Sequence, residues 1–146
     1  MAEKSVNTEI IIQAPAAKVW AILSDLEQYA TWNPFIIYAK GSFAEGQKLS
    51  VVEKAPGEKP RLFKRVLHKI VEGKEFRWMG RIFLPGLFDS ERIFLLEPID
   101  ESQTRLVHKE IFRGLLVPIL WGRLEWSLKA GFNKMNSALK ELCEKS

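Results

Sequence analysis

Polar and apolar positions alternate through KSVNTEIIIQA (residues 4–14) and then run apolar at Ile10–Ile12, which predicts a first strand. The period then changes in PAAKVWAILSDLEQYATW. Pro15 suits the first turn of a helix, and Val19, Trp20 and Leu23 give that helix an apolar stripe. Ser24 or Asp25 is expected to cap a second short helix ending near Trp32. The NPF that follows ends it, because the residue before a proline is pushed away from helical geometry. From Phe35 to Phe112 the pattern is strand-like over 35–40, 47–54, 61–71, 75–83, 90–98 and 104–112, with polar or Gly/Pro turns such as FAEG, PGEKP and VEGK between. Connections this short predict an antiparallel meander. In the last segment Leu124, Leu128, Met135, Leu139 and Leu142 recur at helical spacing. A helix over 119–143 is about 37 Å long at 1.5 Å per residue, enough to lie across a whole sheet. The order is one strand, two small helices, six strands and one long helix, an α+β chain.

Composition narrows the class. The 146 residues are 47% hydrophobic and 27% charged, so one domain over 1–146 with a sizeable core is expected. The net charge of +4 comes from cations interspersed with acids along the chain, so no nucleic-acid partner is expected. Cys143, the single cysteine, cannot form an internal disulfide, and no secretory apolar region follows Met1, which suits a reducing cytoplasm. No run approaches the roughly 18–20 apolar residues of a membrane span. Oligomeric state is not written in the sequence.

The segment RIFLLEPIDESQTRLVHKEIF (92–112) raises a conflict. With its turn near Glu101, residues whose numbers sum to about 202 oppose each other, so Arg92 faces Glu110 and Phe94 faces His108. Phe94, Leu96, Leu106 and Phe112 then share the core side with Arg92, His108 and Glu110, while Ile93, Leu95, Glu97, Arg105, Val107 and Lys109 point outward. Two readings fit: a buried pair whose charges satisfy each other, or polar groups lining a mostly apolar ligand cavity. The cavity is the preferred expectation. Gly131 falls within the apolar stripe of the long helix, where glycine costs about 1 kcal/mol relative to alanine. It either leaves room for a ligand or permits a close approach. The candidate ligand-binding set is Trp32, Phe35, Trp78, Arg92, Phe94, His108, Glu110, Phe112, Trp121, Leu124, Leu128, Gly131 and Phe132. Asn33 is read as closing the turn after Trp32. The oily connections IFLPGLF (82–88) and GLLVPILW (114–121) are read as a gate or as a lip making transient membrane contact, with Trp126 opposite the apolar stripe.

Other chemistry is missing. His68 and His108 stand at no metal-ligand spacing, so neither a metal nor a cofactor is expected. Glycine-rich phosphate loops and the GxSxG elbow do not occur. The catalytic candidate is His108, as a general acid–base with Glu110 and Arg92 beside it.

Four stretches in order, APAAKVWAILSDLEQYATWNPF (14–35), RWMGRIFLPGLFDSE (77–91), FLLEP (94–98) and TRLVHKEIFRGLLVPIL (104–120), resemble the START-like (SRPBCC) superfamily, in its polyketide cyclase/dehydrase-like branch. The resemblance covers nearly the whole chain. It implies the helix-grip fold, also seen in plant pollen-allergen proteins: a seven-stranded antiparallel curved sheet wrapped around a long C-terminal helix, with two short helices between strands 1 and 2. Relatives often place a histidine where Arg92 stands. The superfamily holds lipid carriers, cyclases and chaperone co-factors, so three functions stand open. The first is binding or transport of a small hydrophobic molecule such as a lipid, polyketide or aromatic compound. The second is a cyclase, aromatase or dehydratase using His108. The third is a stress-response or chaperone-associated interaction module.

Overall fold

The computed structural model describes residues 3–82 and 84–145. Among them lie strands β1 (Glu3–Ile12), β2 (Ile36–Lys40), β3 (Gln47–Glu53), β4 (Arg61–Val71), β5 (Glu75–Ile82), β6 (Phe88–Asp100) and β7 (Gln103–Arg113). Helix α1 (Ala16–Leu23), a 3₁₀ turn (Leu26–Gln28) and α2 (Tyr29–Trp32) separate β1 from β2, and α3 (Val117–Glu144) follows β7. The strands form one sheet in the order β1-β7-β6-β5-β4-β3-β2, every neighbouring pair antiparallel. The meander thus runs from β2 to β7, and the α1–α2 connection carries the chain from one edge of the sheet to the other. This is the helix-grip arrangement.

Alternation decides the two faces. Along β7 every second residue from Thr104 to Phe112 is buried, and the β6–β7 register places Arg92 opposite Glu110 and Phe94 opposite His108, as counting from the turn predicts. One stripe of α3, including Leu128, Phe132, Met135 and Leu139, is buried against the inner face. Between α1 and α2 the expected cap is not made. The Ser24 hydroxyl donates back to the Trp20 carbonyl at 2.7 Å, closing α1 instead, and Asp25 makes no side-chain cap. Asn33 does close its turn: its Oδ1 accepts from the amides of Phe35 and Ile36 at 3.0 and 2.9 Å. No described helix is long and apolar enough to cross a membrane.

Gly131 is a point of close approach. A Cβ built there would lie 2.4 Å from the Phe35 ring, and Phe35 is itself held edge-on to Phe132 at 5.8 Å between centroids. The space in the stripe is therefore taken by Phe35. Overpacking costs about 1–3 kcal/mol, more than the roughly 1 kcal/mol gained by removing a helical glycine. Gly131→Ala is accordingly expected to lower the midpoint of urea unfolding; a raised midpoint would show that Phe35 has slack to yield.

Candidate ligand site

At the centre of the interior is an ion cluster. Arg92, 1% exposed, reaches from β6 across the curled sheet to β3. Its Nε and Nη2 donate to Glu110 Oε1 at 3.1 and 2.9 Å, and Nη2 also donates to Glu53 Oε1 at 3.2 Å. Nη1 lies 3.0 Å from Glu53 Oε2. Aromatic faces complete the enclosure, with the guanidinium carbon 4.7 Å from the Phe132 ring centre, 5.6 Å from Phe35 and 5.8 Å from Trp78. Burial works against the charge of Arg92, but Glu110 and Glu53 more than offset it and hold its pKa above the ordinary guanidinium value. Buried ions cost several kcal/mol unless paired and hydrogen-bonded, and here they are paired.

His108 belongs to a second network. Thr8 Oγ1 donates to the His108 carbonyl at 2.7 Å and accepts from Asn136 Nδ2 at 2.9 Å, which turns Asn136 Oδ1 toward His108 Nδ1 at 2.9 Å. Nδ1 therefore carries the proton. The ring is stacked between Phe132 and Phe94, at centroid distances of 4.0 and 4.5 Å, and is wholly buried. Its Nε2 has no hydrogen-bond partner among the described residues. Burial, and then the charge of Arg92, push its pKa well below the usual value, so the ring is neutral.

The sequence-predicted residues separate into groups. Phe35, Trp78, Glu110 and Phe132 surround Arg92, and Phe94 and His108 stack behind them. Trp32 packs on Tyr29 at 5.3 Å, and Phe112 meets Trp121 edge-on at 5.5 Å near the start of α3. Leu124 and Leu128 line a hollow of about 90 Å³ whose walls also include Phe35, Phe63 and Ser127. It ends on Glu53, and the β3–β4 connection closes it through Ala55, Glu58 and Lys59. Ser127 donates to Glu58, whose other oxygen lies 3.9 Å from Arg123, so that connection is tied to α3. Sequence reasoning missed Glu53, Phe63 and Glu58. Glu53 had a readable signal, since it continues the inward alternation of Leu49 and Val51 just as Arg92 and Glu110 do on their strands.

Around this end the protein is oily outside. Leu84, Leu115, Ile119, Leu120 and Trp126 are exposed, Trp126 by 68%. Phe88 and Val117, from the same two connections, are buried; Phe83 lies outside the described residues. Burial pushes the Cys143 thiol up to about 11, away from nucleophilic character. Among the described residues no three His, Cys, Asp or Glu side chains are grouped to hold a metal ion.

A family model described as polyketide cyclase / dehydrase and lipid transport matches residues 3–144. The fold is similar to that of the Zhui aromatase/cyclase from a Streptomyces species, with a TM-score of 0.76 at 18% identity over 99% of this chain and 95% of that one. A START superfamily protein from Mycobacterium smegmatis also superposes with a TM-score of 0.76, at 20% identity over 97% of each chain. Truncated norcoclaurine synthase from Thalictrum flavum gives 0.77 at 13% identity, over 99% of this chain and 96% of that one. No curated protein sequence matches.

The neutral, buried His108 makes stability depend on pH. In the unfolded chain histidine gains a proton near pH 6.5, whereas the folded ring does not until far lower pH. Stability contributed by His108 is thus complete above about 6.5 and falls by about 1.4 kcal/mol per pH unit below it. Urea unfolding between pH 7.5 and 5 is expected to show this slope for the native protein and its loss in His108→Gln.

Proposed function

The chain belongs to the polyketide cyclase / dehydrase and lipid transport family, and we propose that it binds a small hydrophobic molecule between its sheet and the N-terminal half of α3. The observation that carries this reading is the hollow at Phe35, Phe63, Leu124 and Leu128: apolar walls ending on the Glu53 carboxylate, with Glu58, Lys59, Arg61 and Ser127 also lining it. Ligand sites of this kind pair apolar walls with a few convergent polar groups. At about 90 Å³ the hollow is smaller than the roughly 300–1,000 Å³ of drug-sized sites. Binding of a larger molecule therefore requires the hollow to widen. A ligand enters by parting the β3–β4 connection from α3, and the contacts that give way are those of Glu58 with Ser127 and Arg123. The exposed leucines and Ile119 at the start of α3 supply an oily approach to the opening.

His108 is assigned a structural role in this reading. Its Nδ1 is committed to Asn136, and both ring faces are covered by phenylalanines, so no ligand in the hollow touches it. Binding, and not acid–base turnover, is the activity this arrangement favours.

The neutral fluorophore N-phenyl-1-naphthylamine tests the site. It is expected to bind saturably, Leu124→Trp to weaken it at least tenfold with the fold intact by circular dichroism, and Glu58→Ala to speed its association. Absence of saturable binding, or an affinity indifferent to Leu124→Trp, would overturn the proposal.

A further inference from the structure

The sheet is split along part of its length. The β4–β5 ladder runs from Val71–Glu75 to Val66–Met79 and ends there. Beyond that point β4 stays paired with β3 as far as Arg61–Glu53, and β5 stays paired with β6 as far as Ile82–Phe88. Residues 61–65 and 80–82 therefore border a seam with backbone groups that the ladder leaves unused, and such groups are ready partners for a ligand.

The seam opens into a cleft of about 710 Å³, within the size range of small-molecule sites and far larger than the interior hollow. Its outward floor is apolar. Val66 and Met79 are direct cross-strand partners, yet remain 40% and 38% exposed on a face where an antiparallel sheet normally turns polar groups to water. The rim is cationic. Lys48 is the cross-strand neighbour of Val66, Lys64 donates to Ser50 Oγ at 2.7 Å, and Arg81 is shared with Asp89 at 3.4 Å.

Arg65 lies in the seam. A Cβ at Gly80 would fall 2.2 Å from Arg65 Nη1, so it is the missing side chain of Gly80 that admits the guanidinium. Arg65 is only 8% exposed, Nη1 donates to the Lys64 carbonyl at 3.2 Å, and Nε is buried without a partner. Burial works against its charge, and Glu110 and Glu53, which favour it, are already engaged by Arg92. A buried cation left short of hydrogen bonds is a strong attractor for an anion.

We propose that the β4–β5 seam is a binding site for a small amphiphilic anion, its head held by Arg65, Lys64 and Arg81 and its apolar body lying on Val66 and Met79. The cleft opens on the outer face, and Arg65 reaches it from the inner-face side, its guanidinium carbon 4.6 Å from the centre of the Phe63 ring that also lines the hollow; the site does not rest on the function proposed for that hollow.

Decanoate is a suitable ligand for the test, with decanol and decyltrimethylammonium as neutral and cationic counterparts. In nitrogen–proton correlation spectra of the whole chain, decanoate is expected to shift the amides of 64–66 and 79–81 saturably, and the two counterparts to bind at least tenfold more weakly. The exposed double substitution Lys64→Glu with Arg81→Glu is expected to weaken decanoate at least tenfold while the rest of the spectrum is kept. Arg65→Met is expected to do the same, with folding checked by circular dichroism. Equal binding of decanol and decanoate, or unchanged affinity in the double variant, would overturn the proposal. So would shifts confined to Phe35, Leu124 and Leu128, an outcome that supports the interior hollow and leaves the seam without a ligand.

Discussion

The salt bridge of Arg92 with Glu53 and Glu110 is the constraint on which the interior depends. Glu110 is its ladder neighbour, but Glu53 is on β3, separated from β6 in the sheet by β4 and β5. Only a strongly curled sheet can bring the two within 3.0 Å. Once met, the three charges hold the curl in place, because separating them would strand ions away from water. The same cluster occupies, with its aromatic enclosure, the volume that a flatter sheet would leave empty. A packed centre and a hollow confined to one end are thus two consequences of one ion cluster.

The two halves of α3 are held unequally. Toward its C-terminus Asn136 is locked to Thr8 and His108, Lys140 donates to the Ile11 carbonyl at 2.8 Å, and Leu139 and Cys143 are buried. Toward its N-terminus Ile119, Leu120, Arg123 and Trp126 face solvent, and the tether to the β3–β4 connection passes through the single carboxylate of Glu58. Segments with few buried contacts open at lower free energy than the core. The helix is accordingly held more firmly toward its C-terminus than toward its N-terminus, where Val117 and the Phe112–Trp121 contact fix its start.

Much of this was legible beforehand. Strand-like runs between polar or Gly/Pro turns marked the strands of the meander, and counting from the Glu101 turn paired Arg92 with Glu110 and Phe94 with His108 correctly. Local pattern carries that information because a hairpin register is set by its own turn. What escaped is non-local. Nothing in the residues near Glu53 says that Arg92 will arrive from three strands away, and the end of the β4–β5 ladder depends on how the whole sheet coils. Gly131 illustrates the same limit: a missing side chain announces a close neighbour or an empty space, and only the position of Phe35 decides.

The seam and the hollow meet in electrostatics. Arg65 stands in the field of Glu53 and Glu110, the same carboxylates that bind Arg92, so two cations draw on two anions across β3, β4, β6 and β7. Net neutrality keeps the cluster tolerable in a medium of low dielectric, but the sharing is uneven. Arg92 takes the direct hydrogen bonds to the carboxylates, and Arg65, stacked on Phe63 and donating to the Lys64 carbonyl, receives only their longer-range attraction. Evenly paired charges would make a closed structural unit. The unequal division instead leaves one cation incompletely served beside an open cleft, while Glu53 forms the polar end of the hollow. An anion at Arg65 would supply the charged partner that Glu53 and Glu110, engaged by Arg92, do not.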